Sequence, residues 1–249
     1  MNSASVLRDL QQARLSGRSL LAVLIDPDKF DNRTAAVFLR KLPSEVTHLF
    51  VGGSTVEPTK TEATVKAIKA ETSLPVVLFP GHYTQITEAA DALLFLSLLS
   101  GRNPEYLIGQ QVKAVGLLRH SRLEVIPAGY ILIDGGRECA VQKVSKTEPL
   151  PQENIQNIVN TALAGQFSGK KLIYLEAGSG ASNPVSAEII SEVRAALEIP
   201  LIVGGGIRSS AGLKKAFTAG ADMVVIGTAF ENGQFQHQSK EKIQVFSAE

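Results

Sequence analysis

A chain of 249 residues with a formal net charge of +1 and 20% charged residues lacks the basic footprint of a nucleic-acid or anionic-membrane binder. Its one cysteine, Cys139, excludes an internal disulfide framework and a multi-cysteine metal site. With 44% hydrophobic residues and no apolar run long enough to cross a bilayer, it reads as a globular protein, and a polar N-terminus without the pattern of a signal peptide predicts a cytoplasmic one.

The opening "MNSASVLRDLQQARLSGRS" has a helical pattern. Eight short β-rich runs follow: "LLAVLI" (20–25), "THLFVG" (47–52), "PVVLF" (75–79), "ALLFL" (92–96), "EVIPAGYILI" (124–133), "KLIYLEA" (171–177), "PLIVGG" (200–205) and "DMVVIG" (222–227). Runs apolar on both faces suit buried parallel strands. Between them lie segments with helical spacing, such as 186–197 and 210–220. Eight β/α modules in this length predict a (β/α)8 TIM barrel, one domain over 1–249. A doubly wound open sheet would need a nucleotide-type glycine turn after the first strand, and "LIDPDKF" is not one.

One module is thin. Only "PGHYTQITEAAD" separates the third run from the fourth, roughly the minimum for a crossover with its helix. The third helical module is therefore expected to be short or irregular. That is either a plain connection or an apolar opening in the outer ring, for which the greasy segment 95–118 would supply a groove wall. Arg102 and Asn103 after run four are either diphosphate contacts or turn and cap residues. His82 after run three is structural or functional with equal weight. Cys139 reads as a free thiol without catalytic consequence, and 141–154 as a loop over the mouth.

The glycines carry the first functional signal. In a barrel, the loops after strands seven and eight lie together at the C-terminal face, where phosphate often binds. A phosphate needs converging backbone N–H donors, preferably at a helix N-terminus, and a Cβ there would hold the anion away. Gly204–Gly205–Gly206 follow run seven, Ser209 or Ser210 can cap the next helix, and Gly227–Thr228 follow run eight. Either cluster alone is an ordinary turn; together they point to a phosphate cradle. "YLEAGSGAS" (174–182) adds Tyr174, Glu176 and Ser179 beside them. Glu176 is either a base for a substrate hydroxyl or a structural carboxylate. Across the mouth, Asp26 after run one and Ser54 after run two are hard oxygen donors suited to Mg²⁺ shared with substrate phosphates. Equally, Asp26–Pro27 is a turn dipeptide and Ser54 a candidate helix cap.

The stretches "LIDPDK", "VGGST", "FPG", "SLLSGRNPEYLIGQQ", "AGYILIDGG", "YLEAGSGA", "VGGGIRS" and "ADMVVIGTAFE" resemble the geranylgeranylglyceryl phosphate synthases and their bacterial heptaprenyl relatives. They cover nearly the whole chain in order, and "NPEYLIGQQ" with "YLEAGSG" is far more specific than the phosphate glycines. The resemblance implies a prenyltransferase in which the 3-hydroxyl of sn-glycerol 1-phosphate attacks C1 of a polyprenyl diphosphate, giving an ether lipid precursor and diphosphate. It implies that Asp26 and Ser54 bind Mg²⁺, and that glycerol phosphate lies against Tyr174, Leu175, Glu176, Ala177, Gly178, Ser179, Gly180, Gly205, Gly206, Gly227 and Thr228. Glu176 would orient or deprotonate the hydroxyl, and the protein would be a homo-oligomer, dimer or hexamer. Where the heptaprenyl relatives carry a lysine on strand one, this chain has Leu24, so that phosphate contact does not carry over. The competing readings are a phosphosugar isomerase or aldolase barrel, and a non-catalytic phosphate- or FMN-binding barrel.

Overall fold

The computed structural model describes residues 5–55, 57–227 and 230. Eight parallel strands close into a barrel in chain order: β1 (Leu20–Ile25), β2 (Val46–Val51), β3 (Val76–Leu78), β4 (Ala92–Leu98), β5 (Glu124–Leu132), β6 (Leu172–Glu176), β7 (Leu201–Gly204) and β8 (Met223–Ile226). The expected TIM barrel is what forms. Alternation along the strands builds two cores. Leu20, Ala22, Phe50, Leu94, Ala128 and Tyr174 fill the barrel, while Val23, Leu49, Leu93, Ile131, Leu175 and Val203 belong to the layer packed against the helices.

Helix α1 (Val6–Ser16) precedes the barrel, and its Val6, Leu10 and Ala13 join the interior cluster. Glu124, at the start of β5, fixes the start of this helix. Its carboxylate accepts Ser5 Oγ at 2.5 Å and the backbone N–H groups of Val6 at 2.6 Å and Leu7 at 3.2 Å. Among the described residues the outer ring consists of α2 (Ala35–Arg40), α3 (Pro58–Lys69), α4 (Gln110–Leu118), α5 (Ala140–Ser145), α6 (Ile155–Phe167), α7 (Ala187–Ala196) and α8 (Ser210–Thr218).

No α-helix joins β3 to β4. A single 3-10 turn, Tyr83–Gln85, stands in its place, as the short third module predicts. β3 is also truncated. It meets β4 only at Val77↔Ala92 and Leu78↔Leu93, whereas β4 and β5 pair from Ala92↔Glu124 to Leu98↔Tyr130. β4 therefore runs on past its neighbour with one edge uncovered. The 141–154 segment departs from the expectation of a loop: its first part is the end of α5, which stops at Lys146 in the left-handed conformation (φ 52°). The apolar spacing of Ala140, Val141 and Val144 is long enough for one and a half turns, too short a pattern to stand out in the sequence.

Candidate active site

The C-terminal ends of the strands surround a cavity of about 620 Å³. Asp26, Ser54, Tyr174, Glu176, Ser179, Gly180, Gly205, Gly206 and Gly227 all line it, so residues far apart in sequence share one space. Leu175, Ala177 and Gly178 do not line it. Leu175 and Ala177 point into the layer beneath the helices, because alternate residues of a strand face opposite ways; only their backbone can serve a ligand. Thr228 lies outside the described residues.

Glu176 ends β6 and is 7% exposed. Its Oε1 accepts the Gly178 N–H at 2.7 Å. The Tyr174 hydroxyl lies against the same carboxylate, near enough to favour its charge though off the geometry of a full hydrogen bond. Neither contact offsets the loss of water: burial raises the carboxyl from 4.5 to about 7. The surroundings explain why. Phe79 stacks on Tyr174 with ring centroids 5.1 Å apart, and Tyr130 packs at 5.5 Å from Tyr174, giving the carboxylate an aromatic floor. A carboxyl poised near neutrality beside a cavity can act as a general base.

Gly205 shows why side chains are spared at this point. Its φ is +86°, and a Cβ would stand 2.7 Å from Gly178 N and 2.8 Å from Ala177 N. The turn after β7 thus folds directly onto the loop after β6. Two arginines brace that loop from either side. Arg208 donates to Ala181 O at 2.6 Å and Gly180 O at 3.1 Å, and Arg137 to Gly180 O at 3.2 Å. Both line the cavity, bringing two positive charges to a rim already rich in backbone donors. Ser209 caps α8 by accepting the Gly212 N–H at 3.2 Å, which settles the Ser209/Ser210 alternative.

Across the mouth, the Asp26 carboxylate shapes the "DPDK" turn by accepting the Asp28 N–H at 3.1 Å, and it pairs with Lys29 Nζ at 2.7 Å. Ser54 is not the cap of α3: the cap position is Glu57, which makes no side-chain capping bond. Asp26, Asp28 and Ser54 thus present hard oxygen donors to one cavity. Among the described residues no group of three or more His, Cys, Asp or Glu is arranged to hold a metal ion by itself. This donor set fits Mg²⁺ that draws its remaining ligands from substrate phosphates and water.

Much of the remaining wall is hydrocarbon. Leu94 and Leu96 from the interior face of β4 and Leu93 and Phe95 from its outer face line the same cavity. The space therefore passes through the gap left by short β3 and continues on the outside, against Ile86 and Ala114.

Sequence reasoning misses Lys29, Arg137 and Arg208 and reaches Tyr106, Gln110 and Gln111 only as part of the 95–118 groove segment; all six line the cavity. The signal for the arginines was present as a cation directly after strand-end glycines ("DGGR", "GGGIR"). The glutamines carry no such signal, since they come from a helix. Arg102 and Asn103 are turn and cap residues: Arg102 donates to Gly101 O at 2.8 Å, and Asn103 accepts the Glu105 N–H and donates to Ser145 O. His82 caps the 3-10 turn and also lines the cavity. Cys139 is buried and does not line it. Among the described residues Lys29, tied to Asp26, is the one lysine in the lining, which offers a Schiff-base aldolase no buried amine there.

Known proteins resemble this chain over most of its length. A family model described as PcrB family matches residues 16–247. A geranylgeranylglyceryl phosphate synthase of Zunongwangia profunda is 58% identical over 231 residues, 93% of this chain and 99% of that protein. One from Flavobacterium johnsoniae is 55% identical, covering 92% and 94%. The crystal structure of (S)-3-O-geranylgeranylglyceryl phosphate synthase from Thermoplasma acidophilum, in complex with its substrate sn-glycerol-1-phosphate, superposes with a TM-score of 0.84 at 35% identity over 92% of each chain.

Proposed function

Because this chain belongs to the PcrB family, we propose that it transfers a geranylgeranyl group from its diphosphate to the 3-hydroxyl of sn-glycerol 1-phosphate. The products are the ether and free diphosphate. One observation carries the reading: a single cavity holds a buried carboxyl among glycine loops at one end and an apolar passage out of the barrel at the other. A small phosphoester and a long hydrocarbon need those two environments, with their reacting ends meeting between them.

The glycerol phosphate is assigned to the loops at 178–180, 205–206 and 227, with the phosphate toward their N–H groups and the N-terminus of α8. Arg137 and Arg208 hold the 178–181 loop in place and add positive charge behind it. Glu176 accepts the proton of the attacking hydroxyl. Near pH 7 a good share of it is ionised, and its raised basicity makes it a better acceptor than an ordinary carboxylate. Asp26 and Ser54 would hold Mg²⁺, which when bound neutralises charge building on the departing diphosphate. Lys29, at Asp26, lies beside the same position. The passage along β4 takes the prenyl tail, at roughly 0.8 kcal/mol per buried CH₂, and excludes water from the electrophilic carbon. No helix among the described residues is long and apolar enough to cross a membrane, and the reading puts the enzyme in the cytoplasm. Ile108, Val112 and Val115, exposed along one side of α4 and the turn before it, support assembly as a homo-oligomer.

The test is incubation with sn-glycerol 1-phosphate, Mg²⁺ and prenyl diphosphates of graded length, with mass spectrometry of the product. A geranylgeranyl ether is expected. No ether with any donor overturns the reading.

A further inference from the structure

We infer that Gln110 and Gln111 set the width of the slot between β3 and β4, and are the positioning residues through which the protein admits a long prenyl tail. The backbone states the problem. β3 stops at Leu78 while β4 continues to Leu98, so part of one β4 edge has no strand beside it. Leu99 N–H bonds Tyr130 O on the β5 side. By the alternation of a parallel ladder, the Leu96 carbonyl faces the open edge. An unmet carbonyl at the wall of an apolar passage is costly, and such an edge tends to close onto the nearest donor.

Gln111 supplies that donor. Its side-chain amide Nε2 donates to Leu96 O, with the side chain 5% exposed. Its Oε1 has no partner among the described residues, while the residue lines the cavity. The preceding residue holds the opposite lip. Gln110 Oε1 accepts the Tyr83 N–H at 2.8 Å, on the 3-10 turn that replaces the missing helix, and its Nε2 donates to Glu105 Oε1 at 2.5 Å. Adjacent side chains of one helix thus hold both sides of the gap. The π turn Glu105–Gly109 just before α4 makes this possible, since its extra residue changes which side chains come round to face the barrel.

The alternative is a purely structural role, in which the two amides only satisfy backbone groups. The readouts differ. A slot should matter in proportion to how much tail must pass through it, whereas a structural loss should affect all donors alike.

The inference rests on the prenyl-transfer reading, and the experiment separates the two. Gln111→Met keeps the length and removes the donor; Gln110→Leu releases the other lip and carries the test if the buried variant fails to fold. For each, binding and KM are measured with dimethylallyl, geranyl, farnesyl and geranylgeranyl diphosphate. The expected result is a KM for the geranylgeranyl donor raised about tenfold, the scale of one lost buried hydrogen bond. The effect should shrink as the tail shortens, with the KM for glycerol phosphate unchanged. An equal loss across all tails, a parallel rise in the glycerol phosphate KM, or no change in either overturns it. Wild-type protein that forms no ether with any donor defeats the function reading instead, and calorimetric binding of the same diphosphates still reads the dependence on tail length.

Discussion

Glu176→Gln should make the protein more stable while disabling it. In the native state the carboxyl is raised from 4.5 to about 7, with burial the largest cause. At roughly 1.4 kcal/mol per pH unit, ionising this group costs the fold roughly 3 kcal/mol. Below 4.5 the native and unfolded chains both hold the proton, and there is no effect. Between 4.5 and about 7 the unfolded chain gives it up and the native one keeps it, so stability falls as pH rises; above about 7 the full penalty is present. Glutamine has the same shape and never ionises, and its Oε1 can still accept the Gly178 N–H. The variant's advantage should therefore be small near pH 5 and grow to roughly 2–3 kcal/mol near pH 8. Asp222, also buried and raised, contributes the same slope to both proteins and cancels in the difference. Urea denaturation of the two proteins without ligand, across that pH range, measures it. Turnover should fall about a hundredfold or more for loss of a general base. A stability offset that is the same at every pH, or a variant weaker than wild type in alkali, would refute the claim that burial tunes this carboxyl.

Asp26→Ala should abolish Mg²⁺-dependent turnover with little change in melting temperature, because its partner Lys29 is largely exposed and such pairs contribute little; activity retained across a Mg²⁺ titration would remove Asp26 from the metal site. Gly205→Ala puts a methyl against the backbone of Ala177 and Gly178 at φ +86° and should cost about 1–3 kcal/mol. Its KM for glycerol phosphate should rise more than that for the prenyl donor, and steady-state kinetics with each substrate varied in turn checks the order. Glu124→Ala leaves Ser5 Oγ and the Val6 and Leu7 N–H groups without their acceptor and should lower stability by about 1–2 kcal/mol, with kcat at low temperature unchanged. Thermal unfolding and a rate measurement on the same sample report both.

The barrel was legible because buried parallel strands are apolar on both faces, and all eight runs stand out against their polar breaks. "LLAVLI" matches β1 residue for residue, and the shortage of chain between "PVVLF" and "ALLFL" announced the missing helix. The close-packed glycine loops were legible for a related reason: where two backbones nearly touch, as at Gly205, only glycine fits, and a cluster of glycines at a strand end is visible without coordinates. Asp26, Ser54 and Glu176 could be nominated because strand ends of a barrel converge on one face.

The rest was decided in three dimensions. Nothing in the letters "QQ" distinguishes a pair of solvent-facing helix residues from two amides that hold open a gap in a sheet; that depends on β3 ending at Leu78, opposite Leu93, while β4's open edge runs on to Leu96. Arg137 and Arg208 likewise become a brace only because loops 43 and 28 residues from Gly180 fold onto its carbonyl. Glu176 becomes a tunable acid only once Phe79, Tyr130 and Tyr174 exclude water from it. Sequence by itself determined the elements and the places where side chains had to be absent, since those follow from local periodicity and backbone clearance. Only the tertiary structure decided charge state, slot width and loop bracing, because each depends on the distance between groups that the chain brings together on folding.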